Sequence, residues 1–318
     1  MIADLLDIIS EVSTALAAGR PVVALESTLI SHGLPYPENL EVAMASEAAV
    51  RATGAIPATV AIHAGRLLVG LDEAALRALA TAPAGTIRKA ARPSLAGAIA
   101  DGGWAATTVS ATMIVAHAAG IRVFATGGIG GVHRGALDGL RADLRGPSHP
   151  TFDISSDLEE LGRTAMAVVC AGPKAILDVP ATLEYLETRG VPVIAVGQAE
   201  LPGFYARSAG IAAPSSAPDV EAAAAIVATH LGLGLGGAAL VCVPVPADDA
   251  LPDDVAREAV ERALEDAVKA AVVGPALTPW LLARIAVLTD GASLRANAAL
   301  IVNDAGVAGE LARRLAAG

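Results

Sequence analysis

In MAVVCAGPKAILDVP, Met166 to Pro180, one cation, Lys174, stands in an otherwise almost apolar run. The run reads as a buried strand, a tight Gly-Pro turn and the start of a helix, with the lysine just past the turn. An ammonium group in an apolar setting is costly and tends to shed its proton. A deprotonated lysine is a nucleophile, a role arginine cannot take. Glu26 ends another apolar run in ALESTLISHG, where a carboxylate suits a general acid with a raised pKa or, equally, a helix cap or a paired structural carboxylate. In TFDISSDL, Asp153 and Asp157 lie four apart with Ser155 between them. Such alternating oxygens serve a hard cation, Mg²⁺ or Mn²⁺. They serve as well to cap a helix beginning in LEELGRTA.

Two further segments are rich in small and hydroxylated residues. ATTVSAT carries Thr107, Thr108, Ser110 and Thr112, and TGGIGG runs from Thr126 to Gly131. At strand ends these leave backbone N–H groups for a phosphate. The glycines match neither a dinucleotide fingerprint nor a Walker loop, and plain turn chemistry explains them too. His133 in GVHRG and His32 in ISHG read as active groups or as hydrogen-bonded structural histidines. His63, His117, His149 and His230 show no metal spacing.

These residues must be held by strands and helices that alternate along the chain. PVVALEST, IRVFATGG, MAVVCAG, VPVIAVG and AALVCVPVP read as buried strands. PENLEVAMASEAAVRATG and DEAALRALA read as helices, ATVAIHAGRLLVGL as a hairpin, and ATTVSATMIVAHAAG as a strand or loop that becomes a helix. The alternation predicts an α/β fold, one domain over residues 1–318 with a helical region from DDVAREAVERALEDAVK onward. The segment 136–150, ALDGLRADLRGPSHP, mixes charge with Gly and Pro and reads as a surface insertion.

At 318 residues and 54% hydrophobic the chain can build a large core, and with 17% charged residues some apolar surface is expected to form subunit contacts. A net charge of −11 without a basic block argues against a nucleic-acid polymer as partner. No uninterrupted apolar span suits a membrane. Cys170 and Cys242 sit in apolar runs and read as core residues. The first twenty residues read as an amphipathic helix, not a signal peptide, and the chain reads as cytoplasmic.

Taken together, ALESTLISHGLPYP, GAIPATVAI, RKAARPSLA, GWAATTVSATMIVAHAAGIRVFATGGIGGVHRG, TFDISSDLEELGRTAMAVVCAGPKAILDVPATLEYLETRGVPV and SLRANAALIVNDA resemble the pseudouridine-5′-phosphate glycosidase, or indigoidine synthase A, family. The likeness covers roughly residues 15 to 310. It departs from the family's pattern at the 136–150 insertion and in VGQAELPGFYARSAG. The resemblance implies a three-layer α/β/α sandwich, a homotrimer and a divalent cation, typically Mn²⁺. It implies reversible cleavage of pseudouridine 5′-phosphate to uracil and ribose 5-phosphate. By motif it makes Glu26 the proton donor and Lys174 the covalent nucleophile. It assigns substrate contacts to Lys89, Val109, Ser155, Ser156 and Asp157, site positions to His133 and Asn297, and the metal to Asp153.

A carbon–carbon glycosidic bond has a poor leaving group, and the usual carboxylate pair of glycosidases does not obviously suffice. A lysine imine at C1′ supplies an electron sink while Glu26 protonates the departing carbon. The competing readings are an imine-forming aldolase or lyase without a metal, a non-catalytic sugar-phosphate sensor, and a related enzyme for another C-glycoside.

Overall fold

A four-residue strand shows how the molecule is layered. In Val22–Leu25, Val22 and Ala24 enter one hydrophobic core while Val23 and Leu25 enter another. A strand buried on both sides reads as a continuous apolar run because its alternating side chains both need cover. The computed structural model describes residues 2–83, 85–137, 150–272 and 277–317, so 138–149, most of the expected insertion, lies outside the described residues.

The first half of the chain forms β1 (Leu6–Ile8), α1 (Ser10–Ala17), β2 (Val22–Leu25), α2 (Glu38–Ala52), the hairpin β3 (Ile56–His63) and β4 (Arg66–Val69), α3 (Glu73–Thr81) and β5 (Arg88–Ala90). It continues through α4 (Leu95–Asp101), β6 (Ala105–Thr107), α5 (Val109–Ala118), β7 (Val123–Ala125) and β8 (Val132–His133). The second half forms α6 (Ser156–Leu161), β9 (Ala167–Cys170), β10 (Leu177–Asp178), α7 (Val179–Thr188), β11 (Val193–Val196), β12 (Ser215–Ala217), α8 (Val220–Gly232) and β13 (Ala239–Cys242). Three helices follow: α9 (Asp253–Lys269), α10 (Leu277–Leu288) and α11 (Ala292–Ala316).

The main sheet runs β1-β4-β3-β2-β7-β9-β13-β11-β12. From β3 to β12 every neighbouring pair is parallel. β3 outruns β2, and its far half pairs with β4 on one side and with β6 on the other, both antiparallel; β5 then joins β6. That branch brings β5 and β6 alongside the end of β2.

Residues from α1, α5, α6 and α7 cover one face of the sheet, and residues from α2, α8 and α11 cover the other. This is the expected α/β/α sandwich. The helical C-terminal region is also as expected: α9, α10 and part of α11 build a third core against Phe204, Tyr205 and Ile176. Cys170 and Cys242 are buried, unbridged and register partners on adjacent strands.

The N-terminus differs from the expected single helix. Leu6–Ile8 leaves the helical path to pair in parallel with Leu67–Val69, and only Ser10–Ala17 is α-helical. Three residues carry too little periodicity to reveal a strand; its partner decides it. Among the described residues no single helix is long and apolar enough to cross a membrane.

Candidate active site

Parallel sheets open their ligand crevices at the C-terminal ends of strands. Glu26 follows the last residue of β2, Thr126 follows β7, and the loop after β9 carries Lys174. The Glu26 carboxylate is buried between two threonines, with Thr126 Oγ1 bonded to Oε1 and Thr28 Oγ1 to Oε2. Both carboxylate oxygens are thus engaged by hydroxyls, groups that can donate or accept.

Lys174 does not open a helix. Its loop runs beside the glycine-rich turn: the Ile129 N–H donates to Gly172 O (3.1 Å) and the Lys174 N–H to Ile129 O (3.2 Å). The Leu177 N–H then donates to Lys174 O (3.0 Å), and α7 begins only at Val179, capped by the Asp178 carboxylate. The lysine is thus fixed by backbone bonds on both sides. Its apolar setting is a property of the sequence run; in space it shares a polar cleft with Lys89, His133 and Asp157.

The glycine turn packs closely; at Gly130 it is not an open phosphate nest. The Gly130 N–H is spent on Asp157 Oδ2 (2.9 Å), and a Cβ there would fall 2.8 Å from that oxygen. A Cβ on Gly131 would come within 2.5 Å of Thr182 Oγ1. Asp157 also accepts from the Ser110 N–H at Oδ1 (2.9 Å), tying the turn to the start of α5. Ser155 caps α6 by accepting from the Asp157 N–H (3.2 Å), so the helix-cap reading of this segment holds. Ser156 Oγ lies 3.2 Å from Ser110 Oγ.

These elements enclose a cleft of about 190 Å³. It brings together Glu26, Lys89, Val109 and His133 with Ser155, Ser156, Asp157 and Lys174. Of the site residues that the family resemblance assigns, Asp153 and Asn297 do not line it. Asp153 stands next to His133, whose N–H donates to the Asp153 carbonyl (3.0 Å). Asn297 is half-buried on α11, one turn before Ile301. Thr278, near the start of α10, lines the cleft and carried no signal in the sequence. Thr126 was legible as a strand-end hydroxyl, but its pairing with Glu26 was not, and Thr28 carried no signal of its own.

The electrostatics favour an anion between the two lysines. Lys89 is open to solvent on one side, yet the cleft walls and then the charge of Lys174 lower its pKa, against the pull of Glu26 and Asp157. Burial likewise lowers the pKa of His133, with Asp153 opposing and Lys174 assisting. Among the described residues no three His, Cys, Asp or Glu side chains converge as a cation cage. Asp153, beside His133, offers a single carboxylate, the donor type that hard ions such as Mg²⁺ take. It does not fit a caged zinc.

A family model described as indigoidine synthase A like protein matches residues 11–314. The chain is 52% identical over 306 residues to a pseudouridine-5′-phosphate glycosidase of Paracoccus denitrificans, covering 96% of this chain and 97% of the relative. It is 49% identical over 310 residues to one of Caldanaerobacter subterraneus, covering 98% and 96%. Among solved structures it resembles the prealnumycin C-glycosynthase AlnA in complex with ribulose 5-phosphate, with a TM-score of 0.87, 38% identity and coverage of 98% and 97%. An indigoidine synthase A-like protein of Thermotoga maritima superposes with a TM-score of 0.83 at 32% identity, covering 98% and 97%.

Proposed function

This chain belongs to the indigoidine synthase A-like family, and from that membership we propose that it cleaves pseudouridine 5′-phosphate to uracil and ribose 5-phosphate, reversibly, through an imine on Lys174. The observation that carries the reading is a lysine and a buried carboxylate, Lys174 and Glu26, lining one cleft at the ends of β9 and β2, which flank β7 in the sheet, with a second lysine, Lys89, beside them. A substrate with a phosphate at one end and an uncharged base at the other matches that arrangement. The AlnA complex, a C-glycosynthase with a sugar phosphate bound, supports carbon–carbon glycoside chemistry on this fold.

The steps balance as follows. The neutral Lys174 amine bonds to C1′, the ring C1′–O4′ bond opens, and one amine proton ends on O4′. The C1′–C5 bond then breaks: its electron pair stays with the base carbon, which takes the Glu26 proton, while nitrogen completes the C1′ imine. Water hydrolyses the iminium to the ribose 5-phosphate aldehyde, leaving Lys174 protonated, and that proton passes to solvent. Lys89 binds the phosphate, Asp157 holds the turn and α5 in register, and His133, Val109, Ser155 and Ser156 line the substrate's path. Asn297 is proposed as a more distant site residue.

A divalent cation such as Mn²⁺ would be held by Asp153 and would serve to neutralise substrate charge. Exposed Leu233, Leu235 and Val287 support an oligomer, proposed to be a homotrimer, and the proposed cytoplasmic location accords with the two unbridged cysteines. The test is turnover of pseudouridine 5′-phosphate against unphosphorylated pseudouridine, followed by ultraviolet absorbance. Cleavage of the phosphate ester far faster than of the nucleoside supports the reading; no cleavage of either overturns it.

A further inference from the structure

A second, small cavity meets the cleft only at Glu26. It measures about 10 Å³, about the space one water occupies. Its walls are aliphatic except for Glu26, Thr126, Ser46 and Thr59. Ser46 Oγ donates to Val42 O (2.7 Å), which leaves its lone pairs free to accept. Thr59 Oγ1 is bonded to Glu47 Oε1 (2.6 Å). Glu47 is half-buried on α2 and so reaches solvent at its outer edge. A line of oxygens therefore runs from solvent through Glu47, Thr59 and the cavity to the side of Glu26 opposite the substrate.

Such a line has a use if Glu26 is the proton donor, and the inference rests on that reading. Substrate fills the cleft side of Glu26 when its proton leaves for the base carbon. Bulk water cannot then restore it from the front. We propose that Glu47 and Thr59, with one water in the cavity, return a proton to Glu26 from behind. Glu47 O–H gives its proton to Thr59 Oγ, Thr59 O–H to the water, and the water O–H to Glu26, directly or through Thr126. Glu47 regains its proton from solvent. For each proton drawn in behind, Lys174 releases one in front after imine hydrolysis, so the cycle closes.

The surroundings of Glu47 fit a carboxyl that carries a proton part of the time. Burial raises its pKa, and Glu11 on α1 adds to that, while the bond from Thr59 and the charge of Arg51 pull against. Arg51 is largely engaged by Glu11, to which it donates at 2.5 and 2.8 Å. Glu47 and Thr59 do not touch the cleft; they act through Glu26.

The experiment is rapid-mixing release of uracil from pseudouridine 5′-phosphate by the full chain, in H₂O and D₂O. Wild-type turnover must be seen first; its absence would count against the proposed function and not against the path in particular. Given turnover, Glu47→Gln should release one uracil per subunit at the wild-type rate, from the proton already on Glu26. It should then turn over roughly tenfold or more slowly, with a larger solvent isotope effect and with KM lowered in step with kcat, so that kcat/KM stays at the wild-type value. Thr59→Val should behave alike, and Thr59→Ser, which keeps the hydroxyl, should restore the steady state. Steady-state rates within twofold of wild type in Glu47→Gln would overturn the path. So would a first turnover slowed as much as the later ones, since that marks a structural defect at Glu26.

Discussion

Asp157 accepts the Gly130 backbone N–H at 2.9 Å, and this bond, more than any bound ligand, explains why an aspartate follows the two serines. Its other oxygen takes the Ser110 N–H, so one carboxylate joins the glycine turn to the first turn of α5. Asp157→Asn replaces one acceptor with an NH₂ group that faces a donor. A buried amide left unpaired costs about 1–3 kcal/mol. The unfolding free energy measured in urea should fall by that amount, while a surface variant such as Glu258→Gln should leave it unchanged. Equal stability of the two variants would show that the clamp is not structural.

Lys174 should be the residue that carries the sugar. Ribose 5-phosphate alone should form the imine in the reverse direction, and borohydride should fix it as a secondary amine. Mass spectrometry should find one reduced sugar phosphate per chain, on the peptide containing Lys174. Lys174→Ala and Lys174→Arg should give neither adduct nor turnover, because guanidinium stays protonated. An adduct on Lys89 would reassign the nucleophile.

The lowered pKa of Lys89 has a direction that kinetics can read. Its protonated form binds phosphate, and in the free enzyme that form is lost below the ordinary lysine value of about 10.4. KM for the phosphorylated substrate should therefore rise as pH climbs, beginning earlier than for a solvated lysine. Lys89→Arg should remove the rise, since arginine does not titrate there. Lys89→Gln should raise KM at every pH. A KM flat up to pH 10 in the wild type would exclude Lys89 as the phosphate group.

Asp153 should be the protein's hold on a divalent cation. Titrating Mn²⁺ against the resting protein by electron paramagnetic resonance should show binding that Asp153→Asn weakens tenfold or more, about 1.4 kcal/mol. Unchanged binding would place the ion elsewhere.

Much of this was legible in sequence for a physical reason. Doubly buried strands such as Val22–Leu25 and Ala167–Cys170 are continuous apolar runs, and their polar successors mark the crevice. Hence Glu26 and Lys174 stood out. What could not be read was pairing across the chain. Leu6–Ile8 is a strand only because Leu67–Val69 lies beside it. Thr126 reads as a turn residue until Glu26, a hundred positions earlier, is placed against it. Asp157 suited either a metal or a cap, because two amides from distant segments decide its role. Thr278 lies on a helix whose approach to the cleft depends wholly on the packing of α9 to α11.

Helix α11 lies against β2, β7 and β9, the strands whose ends carry Glu26, Thr126 and the Lys174 loop. Its Ala305, Ala308 and Leu311 cover Val23, Val123 and Val169. In the order of synthesis this helix comes after every one of those strands. As the chain leaves the ribosome, the middle of the sheet therefore has one greasy face bare until residue 316 has emerged. Domains ordinarily begin to fold during synthesis at about 5–20 residues per second; here the nascent chain must wait for α11 before the central strands are sealed. Ribosome stalling before Ala292 should leave a chain bound by chaperones, and cutting α11 away should give an insoluble protein instead of a soluble, inactive one.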